Sequence, residues 1–503
     1  MLNNYASTLG LASTSFIAKD SGLGGMAGGM PLCETRQAAK DGADLAIENV
    51  PFDEIRVGQK ASASRQLTKG EIELFATVSG SVNPVHLDEE FAADSKFQKI
   101  IGHGMWSGSL LSGVLGTKLP GPGTIYLTQN LNFLAPVGVG DTITASVEVV
   151  EKKADNVVVL ACSCTNQEGK EIAAGTAEVI APTEKISRDS PVLPQLQFIR
   201  HDKHDALLKK CENLAPVPTA VVYPCDETSL RAAVDAAQVN LIDPVLVGPT
   251  AKIKAVAETF GLDISHFKLV DAEFSHDAAD VAARLARAGD VEALMKGSLH
   301  TDELMSAVVR KENCLRTASR ISHVFVMNVP TYPRTLLITD AAINIAPTLE
   351  DKVHIAQNAI NLARVLGVET PKVAILSAVE TVNPKIPSTL EAAVLCKMAD
   401  RGQITGGVLD GPLAFDNAIS AQAAKTKGIV SPVAGEVDIL LVPDLEAGNM
   451  VAKQLSFLAN ADAAGIVLGA KVPIILTSRA DNLRCRLASC AVAVLVATAN
   501  RAL

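Results

Sequence analysis

The chain has no run of lysines and arginines, and its formal charge is -10. A nucleic-acid or anionic-membrane surface draws its affinity from clustered positive charge, so neither partner is expected, and an anionic substrate has to be met by a local pocket. The nine cysteines include no C-x-x-C pair. Cys162 and Cys164 share one face of an apparent strand without zinc spacing, and all nine read as reduced thiols in a reducing compartment. No stretch approaches the roughly 20 apolar residues of a membrane span, and the run at 491–499 reads as a buried helix or strand. A cytosolic protein is expected. No G-x-G-x-x-G follows a strand and opens a helix, which disfavours a nicotinamide dehydrogenase. No metal-ligand set is visible, so no metal is expected. The first fifty residues carry neither the basic start nor the apolar stretch of a signal peptide.

What is present is a composition of 48% hydrophobic and 20% charged residues, enough for sizeable cores. At 503 residues the chain is too long for one such core, so two or three domains are expected. Residues 1–50, with glycines at 22, 24, 25, 28 and 29 and no sustained period, read as a flexible extension. From 51 to 182 an α+β unit follows, in which Ile143, Ala145, Val147 and Val149 alternate along a half-buried strand. Two further strands, at 156–165 and 171–180, flank a polar turn. Residues 183–194 are charged and contain proline, as a linker does. From 195 to 503, short apolar runs alternate with helical stretches, which predicts a mostly parallel sheet with helices on its faces. Ligands of such sheets lie beyond the carboxyl ends of strands, so the residues after each apolar run carry the chemistry.

Four such strings stand in order: Asp340-Ala341-Ala342-Ile343-Asn344, the stretch 409–417, Pro443-Asp444-Leu445-Glu446-Ala447-Gly448-Asn449, and Thr477-Ser478-Arg479-Ala480-Asp481. A guanidinium binds phosphate oxygens in fork geometry, and a hydroxyl can hydrogen-bond to a reacting centre. Together the strings resemble the phosphate acetyl/butyryltransferase family over residues 195–503. The resemblance implies that Ser478 assists attack by the coenzyme A thiol, that Arg479 holds phosphate, and that the acyl group passes directly within a ternary complex. Asp481 is then a base or a cap for the following helix, Arg320, ahead of an apolar strand, a second phosphate contact or a solvated basic residue, and Asn449 a substrate contact on a loop that walls the cleft. His300 and His323 read as core or surface histidines.

Nearer the N-terminus, Ser79-Gly80-Ser81-Val82-Asn83-Pro84-Val85-His86-Leu87-Asp88 and Ile101-Gly102-His103-Gly104-Met105 resemble the (R)-specific enoyl-CoA hydratases of the MaoC type. Hydration of a conjugated thioester needs a base for water and a donor for the developing enolate oxygen. The resemblance assigns the base to His86, the donor to the Gly104 N–H at a helix start, and the ordering of the loop to Asn83. Where that family carries an aspartate five residues before the histidine, this chain has Ser81, whose hydroxyl cannot replace a carboxylate as proton acceptor near neutral pH. Asp88 reads as a helix N-cap.

The fold class expected is therefore an α+β hotdog domain followed by an α/β phosphotransacetylase-like domain, similar to isocitrate and isopropylmalate dehydrogenases, with a mostly parallel sheet and a central cleft. The function implied is phosphate acyltransfer, fused to a hydratase unit lacking its carboxylate. The alternative is a non-catalytic acyl-CoA sensor or scaffold. Coenzyme A enters as substrate, no cofactor is tightly bound, and both resembled folds form homodimers or higher homo-oligomers.

Overall fold

The structure, a computed structural model, describes residues 46–191, 202–477 and 481–501. The chain divides into two compact units, Met1–Gln195 and Leu196–Leu503.

In the first unit a five-stranded antiparallel sheet runs in the order Lys60–Gln66, Thr142–Lys152, Val157–Thr165, Glu171–Ile180, Ile125–Phe133. The helix Gly104–Thr117 packs on it. Trp106, Leu111, Val114 and Leu115 of that helix share one core with Ile143, Ala145, Val147 and Val149, the alternating set legible in the sequence. A pleated strand puts every second side chain on the same face, so this alternation alone decides which face is dry. Around the margin the boundaries differ from those expected. Ala46–Glu48 pairs antiparallel with Ser187–Asp189, and the buried Asn49 clamps the same segment through Glu184 O (2.8 Å) and the Ile186 N–H (2.7 Å). Two stretches that composition marks as extension and linker are thus paired here, because a short ladder and one buried amide suffice to order polar sequence. Residues 1–45 and 192–194 lie outside the described residues.

The second unit carries an eleven-stranded sheet in the order Lys268–Asp271, Ile242–Gly248, Val217–Val222, Ala293–Lys296, Ile474–Ile475, Asp462–Leu468, Ser322–Asn328, Leu336–Thr339, Ile439–Leu441, Lys372–Leu376, Val408–Leu413. Both flanks are parallel, as the β-then-α alternation predicts. In the middle, Asp462–Leu468 is antiparallel to both its neighbours, and Ser322–Asn328 is antiparallel to Leu336–Thr339. The two parallel blocks therefore run in opposite directions, and their carboxyl edges lie at opposite ends of the sheet.

The last helix, Leu483–Arg501, is 19 residues long and apolar enough by length and composition to cross a membrane, but Ala488, Cys490, Ala491, Val492 and Val494 are buried in the core. At the carboxyl edge of the second block the helix Leu445–Leu458 sits close to the chain after Thr339. A Cβ on Gly448 would lie 2.9 Å from Asp340 O and 2.8 Å from Val442 Cγ2, so only glycine permits that approach.

Candidate functional site

In the first unit the helix Lys69–Ser79 ends at Gly80 in the left-handed region, φ 70°. The chain then turns, and Asn83 caps the short helix Pro84–Leu87, its Oδ1 accepting the Val85 N–H at 3.3 Å. This fixes His86, whose Nδ1 lies 2.8 Å from Ile101 O. A carbonyl only accepts, so Nδ1 holds the proton and Nε2 is left as an acceptor. Beside it, His103 Nε2 donates to Ser81 O at 3.1 Å, and the two imidazoles lie against each other with centroids 3.9 Å apart and planes tilted by 34°. Burial depresses the His103 pKa against the opposing hydrogen bond to Ser81, and the neighbouring His86 adds to the depression, so this ring stays neutral. Its Nδ1 is buried without a partner.

His103 is also the residue before the helix Gly104–Thr117, whose first N–H groups have no intrahelical acceptor and carry the positive end of its dipole. A Cβ on Gly104 would stand 3.2 Å from the Phe133 ring, so glycine keeps the space above that N–H open. Asp88 caps its own helix, accepting the Glu90 and Phe91 N–H groups at 3.0 Å each, as expected. It is committed there and does not stand in for the carboxylate absent at Ser81. The His86–His103 and His103–Ser81 contacts thus bring the segments carrying Ser81, Asn83, His86 and Gly104 alongside one another. His103, present in one of the sequence strings but assigned no role from it, is the addition.

In the second unit a cavity of about 1150 Å³ is lined by Thr301, Met305, Arg316, Arg320, Asn344 and Asp351, among others. One wall is a face of the helix Thr301–Val309, and the other is the chain after Thr339. Arg320 Nε donates to Asn344 Oδ1 at 2.8 Å and faces Asp351 at 3.4 Å. Asn344 Nδ2 donates to Asp340 Oδ2 (2.6 Å) and Ile321 O (2.8 Å). The buried Asp340 in turn accepts the N–H groups of Ala342 and Ile343 at 3.0 Å and of Asn344 at 3.2 Å. Burial works against ionisation of Asp351, but the N–H and hydroxyl of Thr348, then Arg320 and His354, outweigh it and hold its carboxyl below the usual range.

Asn449 Nδ2 donates to Ala341 O at 3.2 Å, tying the helix Leu445–Leu458 to this wall. Leu445 itself lines the cavity. Asp340–Asn344, Asn449 and Arg320 therefore meet at the carboxyl edge of the second block. Thr477 follows Ile474–Ile475 at the edge of the first block instead. Ser478 and Arg479 lie outside the described residues. Asp481 accepts Arg486 Nη1 on its carbonyl at 2.8 Å, and the helix cap it was a candidate for is supplied by Asn482, whose Oδ1 accepts the Cys485 N–H at 2.9 Å.

Arg316, four residues before Arg320, escaped the sequence reading because an isolated arginine in irregular chain has no period to announce it. His323 is buried and neutral, its pKa lowered to about 4 by desolvation despite the nearby Asp340.

Residues 272–494 match the family described as phosphate acetyl/butaryl transferase, and residues 53–163 match the MaoC like domain family. The phosphate acetyltransferase of Rhizobium meliloti is 62% identical over 300 residues, covering 60% of this chain and 95% of that protein. The phosphate butyryltransferase of Clostridium acetobutylicum is 40% identical over 291 residues, covering 58% of this chain and 97% of that protein. Among solved structures, a branched-chain phosphotransacylase from Enterococcus faecalis V583 superposes with a TM-score of 0.50 at 30% identity, covering 56% of this chain and 99% of its own.

Proposed function

The chain belongs to the phosphate acetyl/butyryl transferase family, and on that premise we propose how its two units work. The second unit, which we bound at 195–503, transfers a short acyl group between coenzyme A and phosphate. A phosphate oxygen attacks the thioester carbonyl carbon, a tetrahedral oxyanion forms, the C–S bond breaks, and the thiolate leaves and takes up a proton. Arg479 holds the phosphate, and the Ser478 hydroxyl hydrogen-bonds at the reacting centre, a contribution worth about 10²-fold or more when it is made only in the transition state. Asp481, just beyond, is the candidate base that takes the thiol proton when coenzyme A attacks in the reverse direction. The observation that carries this reading is the cavity of about 1150 Å³ lined by the helix Thr301–Val309, Arg316, Arg320 and Asn344. It follows the helix Thr301–Val309, which begins shortly after the strand Ala293–Lys296, beside Ile474–Ile475. A cleft of this form suits a long anionic thioester, with Asn449 holding its wall in place.

For the first unit, bounded at 51–182, we propose hydration of a short enoyl-CoA by a single base. His86 Nε2 takes a proton from water as its oxygen bonds to the β-carbon. The Gly104 N–H holds the enolate oxygen, and the imidazolium returns the proton to the α-carbon. The net change is addition of one water. The rival for this unit, acyl-CoA binding without turnover, is favoured by Ser81. The edge strand Ile125–Phe133 exposes Ile125, Leu127 and Phe133 at 58%, 48% and 51%, and we propose that a second copy covers it, since open apolar edges invite pairing. The eight described cysteines are all thiols, which fits residence in the cytoplasm.

A paired assay on one sample tests both halves: acyl phosphate formation from acetyl-CoA and butyryl-CoA with phosphate, and loss of the conjugated absorbance of crotonyl-CoA. Turnover in both is expected. Silence in the first rejects the transferase reading, and silence in the second alone leaves the hotdog unit as a binder.

A further inference from the structure

We propose that Arg316 and Arg320 form an anion seat of their own, aimed by Asn344, which takes the nucleotide phosphates of coenzyme A and not the phosphate that is transferred. This rests on the reading that Ser478 and Arg479 act on the transferred group. Strand register separates the two places. Ser322 pairs with Leu468, so Arg320 lies near the level of residue 470. Ile475 pairs with Ile466 and the Leu476 N–H reaches Gly465 O, so Thr477 lies near the level of residue 464. Six positions at ~3.3 Å each set them roughly 20 Å apart along the sheet. A single phosphate ion, a few ångströms across, does not span the distance between Arg320 and Thr477. Coenzyme A can span it, since its thiol and its phosphates sit at opposite ends of the pantetheine arm.

The seat is built for an anion. Among the described residues Arg320 spends only Nε, on Asn344 and Asp351, and neither terminal nitrogen donates to one of them. Asn344 cannot turn, because both its amide hydrogens and its oxygen are engaged and its anchor, Asp340, is held by three backbone N–H groups. The planar fork of Arg320 is thereby fixed toward the cavity that Arg316 also lines. Asp302, Glu350, Asp351 and His354 face the same space. Asp351 offsets part of the charge of Arg320 and the other two carboxylates add to the lining, so the ligand is met by the directed N–H groups at the end of the Arg320 fork and not by an excess of positive charge.

The experiment uses the full chain and varies acyl-CoA, acyl-pantetheine and phosphate separately in wild type, Arg316→Gln, Arg320→Gln, Asn344→Ala and the Arg320→Gln/Asn344→Ala pair. Each arginine variant should raise KM for acyl-CoA about 10-fold, the scale of one charge-assisted pair. KM for phosphate and turnover of acyl-pantetheine, which lacks the nucleotide, should stay within about twofold of wild type. Asn344→Ala should add nothing in the Arg320→Gln background, as residues acting through one group are non-additive. Full additivity would reduce Asn344 to a role in folding. A raised KM for phosphate, or an equal loss with acyl-pantetheine, overturns the seat. Ser478→Ala, run alongside, separates the two ideas: normal turnover in that variant sinks the underlying reading whatever the arginines do.

Discussion

The two centres of this molecule are assembled in opposite ways. In the hotdog unit the chemistry-bearing groups fall between Ser81 and Gly104, and both histidines are oriented by backbone carbonyls within that same stretch. In the acyltransferase unit the cavity draws on a helix at 301–309, a loop at 316–321, a strand end at 340–345 and a helix start at 350–354, none of which contacts another by local sequence. A centre made locally can exchange one chemical group at a time, as Ser81 illustrates, while its fold persists. A centre made from distant strand ends depends on sheet register, so its residues are tied to the fold.

Substitutions can break that comparison. The largest effect is expected at Ser478→Ala and Arg479→Ala, each lowering acyl phosphate formation by about 10²-fold or more with crotonyl-CoA hydration untouched. A near-wild-type rate in either, with folding intact by circular dichroism, removes that residue from the site. Next, His86→Ala should lower hydration about 10²-fold, and Ser81→Asp should raise it above wild type by restoring a second acid-base group. No gain from Ser81→Asp would mean that more than one residue of the local centre has drifted. The arginine variants, with their roughly 10-fold changes in KM, come third.

The smallest effect is in stability. His323 is held neutral in the folded chain, with its pKa at about 4, while an unfolded histidine titrates near 6.5. Between those values the unfolded chain binds more protons, so stability falls as pH drops through that window and levels off below it. The melting midpoint of the acyltransferase unit should drop by a few degrees from pH 7 to pH 5, and less in His323→Asn. An identical slope in that variant would assign the acid sensitivity elsewhere. His103 works in the same direction in the hotdog unit.

Much of this was legible beforehand. The alternation of Ile143 to Val149 marks its dry face because a strand has only two faces. The runs of the second unit announce a parallel sheet because helices must cover both sides of it. Asp88 could be read as a cap from residue type and spacing, while the resemblance gave Asn83 only the ordering of its loop. What sequence did not carry was direction. Nothing in the apolar runs at 322–328 and 462–468 tells that they oppose their neighbours, yet that reversal decides that Arg320 and Thr477 stand apart. Nor did polar composition at 46–49 and 184–189 reveal a ladder, since backbone pairing is blind to side-chain type and the buried Asn49 has no neighbour in sequence to betray its role.

The reversal in the middle of the eleven-stranded sheet has a consequence for substrate choice. A uniformly parallel sheet offers ligands one rim, whereas this one offers two, facing away from each other across the length of its central strands. If coenzyme A is gripped at both rims, as proposed, it is gauged end to end, and the sheet would act as a calliper whose opening is set by strand length. Selection at the acyl end can then drift toward acetyl or butyryl groups while the demand for a carrier of fixed reach stays the same.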